Sequence, residues 1–390
     1  MSGKTAIGAL VIASTLLAAG GLELGLRLVQ PRPEFPLKDF YKVDRELGYD
    51  IAPRFSAAES KHPVLGKFSL FSNEFGCYDE PSSKSRVLWV GDSFAQGSHA
   101  LEASLGGKLQ ESLGERVLKC GVTGFGTRQA RIKAERVLST VKTAPSLVVL
   151  AYFMNDLEDD YLAPARTVLR GWVYTTKTMS DAQTGAILER DLETVEQELD
   201  AYERIGEAVI CPPGSAAQRA RCWMYLNSAL YRKVKDPIKR ILVAAAGKQA
   251  PGTVDSQPAI AWMPRESHPW LDGAWKDHLE NISDFDARMK RRGLKFLVVM
   301  IPTKEQITPA LANKPGSPDY GDGDLDQPNK ILRAYMKSKG VAFFDLLEPL
   351  RASGKSDLYF SKDFHFSPAG EALAGKLIAQ RIRYKRLLPQ

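Results

Sequence analysis

Three short apolar runs constrain the fold of this chain more than any other feature: Val87-Leu88-Trp89-Val90, Leu147-Val148-Val149-Leu150 and Phe296-Leu297-Val298-Val299-Met300-Ile301. None shows the alternation of a strand with one wet face, so each reads as a strand buried on both faces. The strands are expected over Arg86–Val90, Arg116–Cys120, Ser146–Phe153, Lys295–Ile301 and Val341–Leu346. Helical patterns separate them: Ala103–Leu113 closed by Gly114, Arg128–Val141, Trp275–Arg292, Asn329–Lys339 ended by Gly340, and Ser367–Arg383. In the last, Ser367 is the expected N-cap and Pro368 the first helical residue. Strands alternating with helices pair in parallel, with helices on both faces. The expectation is a flavodoxin-like three-layer α/β/α sandwich with a five-stranded parallel sheet of order 2-1-3-4-5. The rhythm stops over residues 157–285, which read as a helical insertion or cap with helices at Leu192–Ile205 and Leu226–Ala246 and a loop at Pro251–Pro269.

The N-terminus is of another kind. Thr5 to Leu22 carries no charge, with Lys4 before it and Glu23 and Arg27 after it. Such a stretch is near the lower limit of a membrane span and long for a signal-peptide core. It reads as an uncleaved anchor; cleavage near Ala18-Ala19-Gly20 is the alternative, and a buried helix the third reading. Pro31, Pro33 and Pro36 make a stiff stalk behind it, and residues 37–84 are mixed and turn-rich. The domain reading is therefore 1–27 anchor or signal, 28–84 stalk and extension, 85–156 and 286–390 the two parts of one α/β domain, and 157–285 the insertion. Four cysteines suit an oxidising compartment: Cys211 and Cys222 bracket a polar loop, and Cys77 and Cys120 are left as a second pair; four buried thiols is the other reading. No Cys-x-x-Cys pair exists to hold zinc. The net charge of +7 comes without a basic block interleaved with aromatics, so nucleic acid is not an expected partner; a solvated basic surface, an anionic membrane or an anionic polymer all suit it.

Ligand sites in open α/β sheets gather beyond the carboxyl ends of the strands. Four features fall there. Gly91-Asp92-Ser93 follows the first strand and offers a hydroxyl that becomes a nucleophile when a base takes its proton; a helix N-cap is the plain alternative. Gly121-Val122-Thr123-Gly124-Phe125-Gly126 follows the second, where glycines let backbone N–H groups approach a ligand. Asn155-Asp156 follows the third and offers a side-chain oxyanion donor, or a turn asparagine. Asp363-Phe364-His365 precedes the last helix, and an aspartate two residues before a histidine reaches its ring nitrogen and fixes its tautomer. Of the five histidines (His62, His99, His268, His278, His365), only His365 has such a neighbour at a loop-to-helix junction.

These four blocks resemble the SGNH, or GDSL-type, superfamily of esterases and lipases. The resemblance spans roughly residues 84–160 and 290–388. It implies Ser93 as nucleophile, His365 as base, Asp363 as its orienting acid, and an oxyanion hole from Ser93, Gly124 and Asn155, with Gly121 the less favoured glycine. It also implies acyl-ester hydrolysis through an acyl-enzyme without metal or organic cofactor, on a carbohydrate (for instance an O-acetyl ester) or a lipid. Acyl transfer to a cell-surface polysaccharide is one alternative; a silent binding or assembly protein of an envelope polysaccharide system is another. The anchor, Asn73–Asp79 and Lys119–Gly126 look like membrane-anchored bacterial members, with the catalytic domain outside the cytoplasm. Two departures stand out. The spacing is Asp-x-His where many members have Asp-x-x-His, Lys362 occupying the alternative position, and Phe153 replaces the glycine that usually precedes the third block by two residues. Elsewhere, Asp319, Asp322, Asp324 and Asp326 read as a solvated acidic loop, Lys304 as a surface lysine or an anion contact, and Tyr152, Trp172 and Trp223 as sugar-site or packing residues.

Overall fold

A computed structural model describes residues 3–29, 38–81 apart from 57 and 63, 84–205 apart from 182 and 183, 209, 214–235, 269–311, and 324–389 apart from 362. The stalk prolines, Cys211, Lys362, Asp319, Asp322, His268, the end of the expected helix Leu226–Ala246 and the loop before Pro269 lie outside these residues.

In chain order the elements are α1 (Gly3–Val29), β1 (Tyr41–Asp44), β2 (Gly48–Ile51), β3 (Ala58–His62), β4 (Gly66–Leu70), β5 (Val87–Gly91), α2 (Ser93–Gln96), α3 (Leu105–Leu113), β6 (Val117–Lys119), α4 (Thr127–Thr140), β7 (Leu147–Tyr152) and α5 (Asn155–Leu162). Then follow β8 (Arg166–Leu169), β9 (Trp172–Thr175), β10 (Lys177–Asp181), β11 (Ala186–Glu189), α6 (Leu192–Ile205), α7 (Ala216–Asn227) and α8 (Pro269–Arg291). The chain continues with β12 (Lys295–Met300), α9 (Lys304–Ile307), α10 (Gln327–Lys339), β13 (Phe343–Asp345), α11 (Leu347–Ala352) and α12 (Pro368–Tyr384). The chain divides into two units, Phe35–Arg190 with Val254–Gln390, and Met1–Glu34 with Asp191–Thr253.

The larger unit holds a five-stranded sheet of order β6-β5-β7-β12-β13, parallel throughout, which is the expected 2-1-3-4-5. The apolar runs are its centre. Leu88, Val90, Val148, Leu150, Val298 and Met300 face a layer made by α4, α8 and α10. Their neighbours Val87, Trp89, Leu147, Val149, Leu297 and Val299 face α3, α11 and α12. Continuous hydrophobicity is the period-2 pattern of two buried faces superposed. Ser367 caps α12, its Oγ accepting from the Gly370 N–H at 3.3 Å, with Pro368 next.

Residues 39–80 form two antiparallel hairpins, β1-β2 and β3-β4. Phe40, Leu47, Tyr49, Ile51 and Tyr78 pack with Val122, Phe125 and Ile132 of the glycine block and α4. Polar clamps reinforce this contact. Lys133, 1% exposed, donates to both Asp50 carboxylate oxygens at 2.8 Å and to the Phe75 and Gly76 carbonyls at 2.9 Å. Asp79, fully buried, accepts from the Lys119 N–H at 3.0 Å and pairs with Arg116 at 2.9 Å and Lys119 at 3.0 Å. Between them, Cys77 and Cys120 form the expected disulfide.

The stretch read as a helical insertion takes in most of α5 and then two hairpins, β8-β9 and β10-β11, before α6 and α7. The β8-β9 turn places Arg170 at φ +52° and Gly171 at φ +86°, the two positive φ values of a tight hairpin turn. Arg-Gly is not among the dipeptides that announce such turns, so the pattern was silent. In the smaller unit α6 occupies the expected Leu192–Ile205, whereas α7 starts ten residues earlier than Leu226, at a capping box of Ser215 and Gln218. α1 contains Ile7–Val29, a 23-residue stretch of mean hydropathy 1.8, long and apolar enough to cross a membrane.

Removing one partner of the Lys133–Asp50 pair leaves a buried charge uncompensated. Lys133→Met is expected to lose about 3–5 kcal/mol of unfolding free energy in denaturant titration, with partial recovery in Lys133→Met/Asp50→Asn. Equal stability of wild type and the single variant would show the pair to be unimportant.

Candidate active site

Gly91 ends β5 opposite Ala151 of β7, at φ +144°, where a Cβ would lie 2.3 Å from the Ala151 carbonyl oxygen. Only glycine fits that approach. The chain then turns. Asp92 caps α2, its Oδ1 accepting from the Phe94 N–H at 2.9 Å. Ser93 becomes the first helical residue, half-buried, with a backbone N–H that has no acceptor within the helix. The N-cap is thus Asp92 and not Ser93, which leaves the serine hydroxyl free for another partner.

That partner is His365. Its Nε2 lies 2.8 Å from Ser93 Oγ, and its Nδ1 lies 2.6 Å from Asp363 Oδ1. The same Asp363 oxygen accepts the His365 backbone N–H at 2.9 Å. The segment is therefore an Asx-type turn closed twice, and this turn is what lets the shorter Asp-x-His spacing orient the ring. A carboxylate on Nδ1 assigns the proton there and leaves Nε2 to accept from the serine. Burial alone would raise the Asp363 pKa, but the His365 hydrogen bond and charge hold it down to about 2. Phe153, 3% exposed, packs on Phe94 at 4.7 Å and stacks on Phe364 at 5.9 Å, and Phe94 and Phe364 lie 5.0 and 4.2 Å from the His365 ring. The residue in place of the usual glycine thus supports the turn that carries the histidine.

The glycine block leaves β6 beside the disulfide. Gly121 packs on α2, where a Cβ would meet the Gln96 nitrogen at 2.3 Å, whereas Gly124 takes φ +75° in the turn. Thr123 is held on both sides: the Tyr49 hydroxyl donates to its carbonyl, the acceptor of the Thr123–Gly124 peptide, and its own N–H donates to Gln96 Oε1 at 2.8 Å. Tyr41 donates to the same Gln96 oxygen at 3.0 Å.

Asn155 opens α5 and donates from Nδ2 to Asp159 Oδ2 at 2.8 Å. Arg166, from β8, closes the ring: its NH1 donates to Asp159 Oδ1 at 2.7 Å and to the Gly124 carbonyl at 2.9 Å. One guanidinium nitrogen therefore links the glycine turn to the carboxylate that orients Asn155. Beneath it Asp92 and Asp156 are fully buried, each with one orphaned oxygen. Burial pushes Asp92 up to about 6 and Asp156 well above the usual carboxylate range, the Asp92 charge adding to the effect at Asp156. A proton held on one acid supplies a donor where both otherwise only accept.

The geometry thus brings Ser93, His365 and Asp363 into one hydrogen-bonded line and ties Gly124 to Asn155 through Arg166 and Asp159. Sequence reasoning missed Arg166, Asp159, Tyr49, Tyr41 and Gln96. Asp159, at i+4 from Asn155 on a short helix, carried a signal; the others act across long separations and carried none. Tyr152 is fully buried, with its hydroxyl 3.1 Å from His278 Nε2, and His278 Nδ1 is 2.7 Å from Asp160, so both are packing residues. Trp172 is buried, Lys304 donates to the Ser361 carbonyl at 3.3 Å, and Asp324 and Asp326 pair with Lys330 and Arg351. Among the described residues no group of His, Cys, Asp and Glu is arranged to hold a metal ion.

Residues 266–390 match the family model described as SGNH hydrolase-like domain, acetyltransferase AlgX. The matched stretch contains Asp363 and His365, and it supports the SGNH/GDSL-type resemblance carried by the four blocks. No curated protein matches the chain. Among solved structures it is similar to TesA (13% identity over 77% of this chain and 99% of that one, TM-score 0.37). It is also similar to a GDSL-like lipase from Bacteroides thetaiotaomicron (12%, 77% and 89%, TM-score 0.34) and to Est24, a carbohydrate acetylesterase from Sinorhizobium meliloti (12%, 77% and 98%, TM-score 0.33).

The raised Asp92 pKa has a signed consequence. Between the ordinary value of 3.8 and about 6 the native state binds a proton that the unfolded state releases, so Asp92 makes the wild type less stable as pH rises through that window. Asp92→Asn lacks this loss. Its stability advantage over wild type should widen between pH 4 and pH 7 by up to roughly 3 kcal/mol in denaturant unfolding. A gap independent of pH would locate the proton elsewhere.

Proposed function

We propose that the chain is a serine-dependent acyl-ester enzyme of the cell envelope, with Ser93 as nucleophile, His365 as general base and Asp363 as the residue that orients it. The observation that carries this reading is the continuous line Asp363 Oδ1–His365 Nδ1, 2.6 Å, and His365 Nε2–Ser93 Oγ, 2.8 Å. His365 Nε2 takes the Ser93 proton as Oγ attacks the ester carbonyl carbon. The carbonyl electrons move to oxygen, which the Ser93 and Gly124 N–H groups and Asn155 Nδ2 stabilise. Collapse expels the alcohol, which takes the proton from His365, and leaves the acyl group on Ser93. A second hydroxyl then loses its proton to His365 and attacks that acyl carbon, and Ser93 recovers its proton as the product leaves. All proton transfers run through these side chains, so the scheme calls on no metal or organic cofactor.

The second hydroxyl decides the outcome: water makes an esterase, a sugar hydroxyl makes an acyltransferase. The acetyltransferase in the matched family description favours the second reading and an acetyl group; the proposed acceptor is a carbohydrate hydroxyl and the proposed partner an envelope polysaccharide system. The complete Ser93–His365–Asp363 line speaks against a silent binding protein. The catalytic body is proposed to comprise residues 85–156 and 286–390, with the extension and residues 157–285 as further parts of the chain.

A fluorophosphonate probe should label Ser93 in folded protein, and Ser93→Ala should abolish labelling and lower acyl release from acetyl esters by about 10³-fold or more. An unlabelled wild type would sink the proposal; acetyl groups appearing on an added oligosaccharide would identify the transferase.

Arg166 is expected to act as a positioning residue. In Arg166→Gln, kcat should fall on the order of 10- to 100-fold with little change in KM, because the oxyanion donors loosen while the acyl pocket remains. Arg166→Lys should recover part of kcat, since a single nitrogen makes both contacts. A purely structural role would lower the folded fraction and leave kcat per folded molecule unchanged.

A further inference from the structure

The smaller unit contains a side-chain arrangement that the catalytic reading does not use. Glu23, on α1, accepts from Ser228 Oγ, the Ala229 N–H and the Leu230 N–H, each at 2.9 Å. Arg27, one turn on, donates to Glu23 at 2.6 Å and to the Asn227 carbonyl. The carboxylate therefore supplies acceptors to the first N–H groups of the helical residues 229–235, and Arg27 takes the carbonyl at the end of α7. Two helix ends are pinned to one point on α1.

That point has a defined depth. Thr5–Leu22 is uncharged, and at 1.5 Å per residue it spans about 27 Å, close to the roughly 30 Å of a bilayer's hydrocarbon core. Glu23 is the first charge beyond it and so falls at headgroup level in a spanning α1. A carboxylate at this boundary is tolerated where donors satisfy it, and here three groups of residues 228–230 and Arg27 do so.

The pinned segment has the composition of an interfacial element. Residues 214–235 contain Arg219, Arg221, Arg232, Lys233 and Lys235 and no Asp or Glu, so five of the chain's net +7 charges sit in this short stretch. Trp223 is 65% exposed, Arg219, Arg221, Lys233 and Lys235 are exposed, and α7 buries none of its residues. Tyr225 and Tyr231 are half-buried, with Lys235 Nζ 4.3 Å from the Tyr225 ring centroid. Tryptophan and tyrosine at the headgroup level, flanked by cations facing anionic lipid, are the signature of a segment lying on a membrane.

We propose that residues 214–235 lie in the interfacial layer of the membrane that α1 enters, pinned there by Glu23 and Arg27, with anionic lipid headgroups as their ligand. The inference rests on the reading of α1 as a retained anchor, so the test separates the two. Full-chain protein is reconstituted in phosphatidylcholine/phosphatidylglycerol vesicles carrying lipids brominated near the glycerol, and its intact mass is measured. Wild type should keep α1 and lose more tryptophan emission to the bromolipid than Trp223→Phe does, by one tryptophan's share of the six. Glu23→Ala should diminish that difference, and so should the exposed-site variant Arg219→Glu/Arg221→Glu, which breaks no contact in the Glu23 clamp. An intact α1 with equal quenching in wild type and Trp223→Phe overturns the interfacial placement. A mass lacking α1 overturns the anchor and the placement with it. Trp223 emission that responds to a soluble polyanion and not to bromolipid assigns the surface to a polymer and overturns the placement.

Discussion

The site depends on one steric constraint, the approach of β5 to β7 at Gly91. With Gly91 paired to Ala151 and no room for a Cβ, the two strands end within one residue of each other. Ser93 leaves the sheet two residues after the end of β5 and Asn155 three residues after the end of β7, so the serine hydroxyl and the Asn155 amide emerge at one edge. His365 reaches the same edge from the segment before α12. A larger residue at 91 would part the strands and separate groups that no later element could bring back together.

Around that edge the chain invests in fixing donors and acceptors rather than in adding reactive groups. Tyr49 and Gln96 hold the Thr123 carbonyl and N–H, Arg166 holds the Gly124 carbonyl, and Asp159 holds Asn155. An oxyanion donor contributes most when its direction is set before charge develops. Much of this support comes from the β1-β2 hairpin and from β8, outside the alternating α/β core. The cost is a group of buried carboxylates behind Asn155, two of which carry orphaned oxygens.

The sheet and its order were legible because strands buried on both faces write themselves as unbroken apolar runs, and the hydrogen-bonded line of Ser93, His365 and Asp363 was legible because each member sits at a strand or helix boundary. The hairpins of residues 39–80 and 166–189 were not. Their strands are four or five residues long, their turn at Arg170-Gly171 uses an uncommon pair, and their burial is decided by what they meet across the fold. Arg166 shows the limit well: its sequence neighbourhood is that of an ordinary strand arginine, and its partners lie 42 residues upstream at Gly124 and 7 upstream at Asp159. Only the fold makes them adjacent.

The Cys77–Cys120 bond also has a meaning in time. It closes a loop with a sequence separation of 43 that contains Ser93 and ends one residue before Gly121. A clasp of this kind persists where thiols are oxidised and is lost where they are kept reduced. In a reducing compartment the chain would hold Ser93 in an open-ended loop, and the cross-link that fastens the glycine block to the extension would wait for oxidation. The order of the site is in this sense coupled to place: the clasp beside Ser93 closes only where the surroundings permit thiol oxidation.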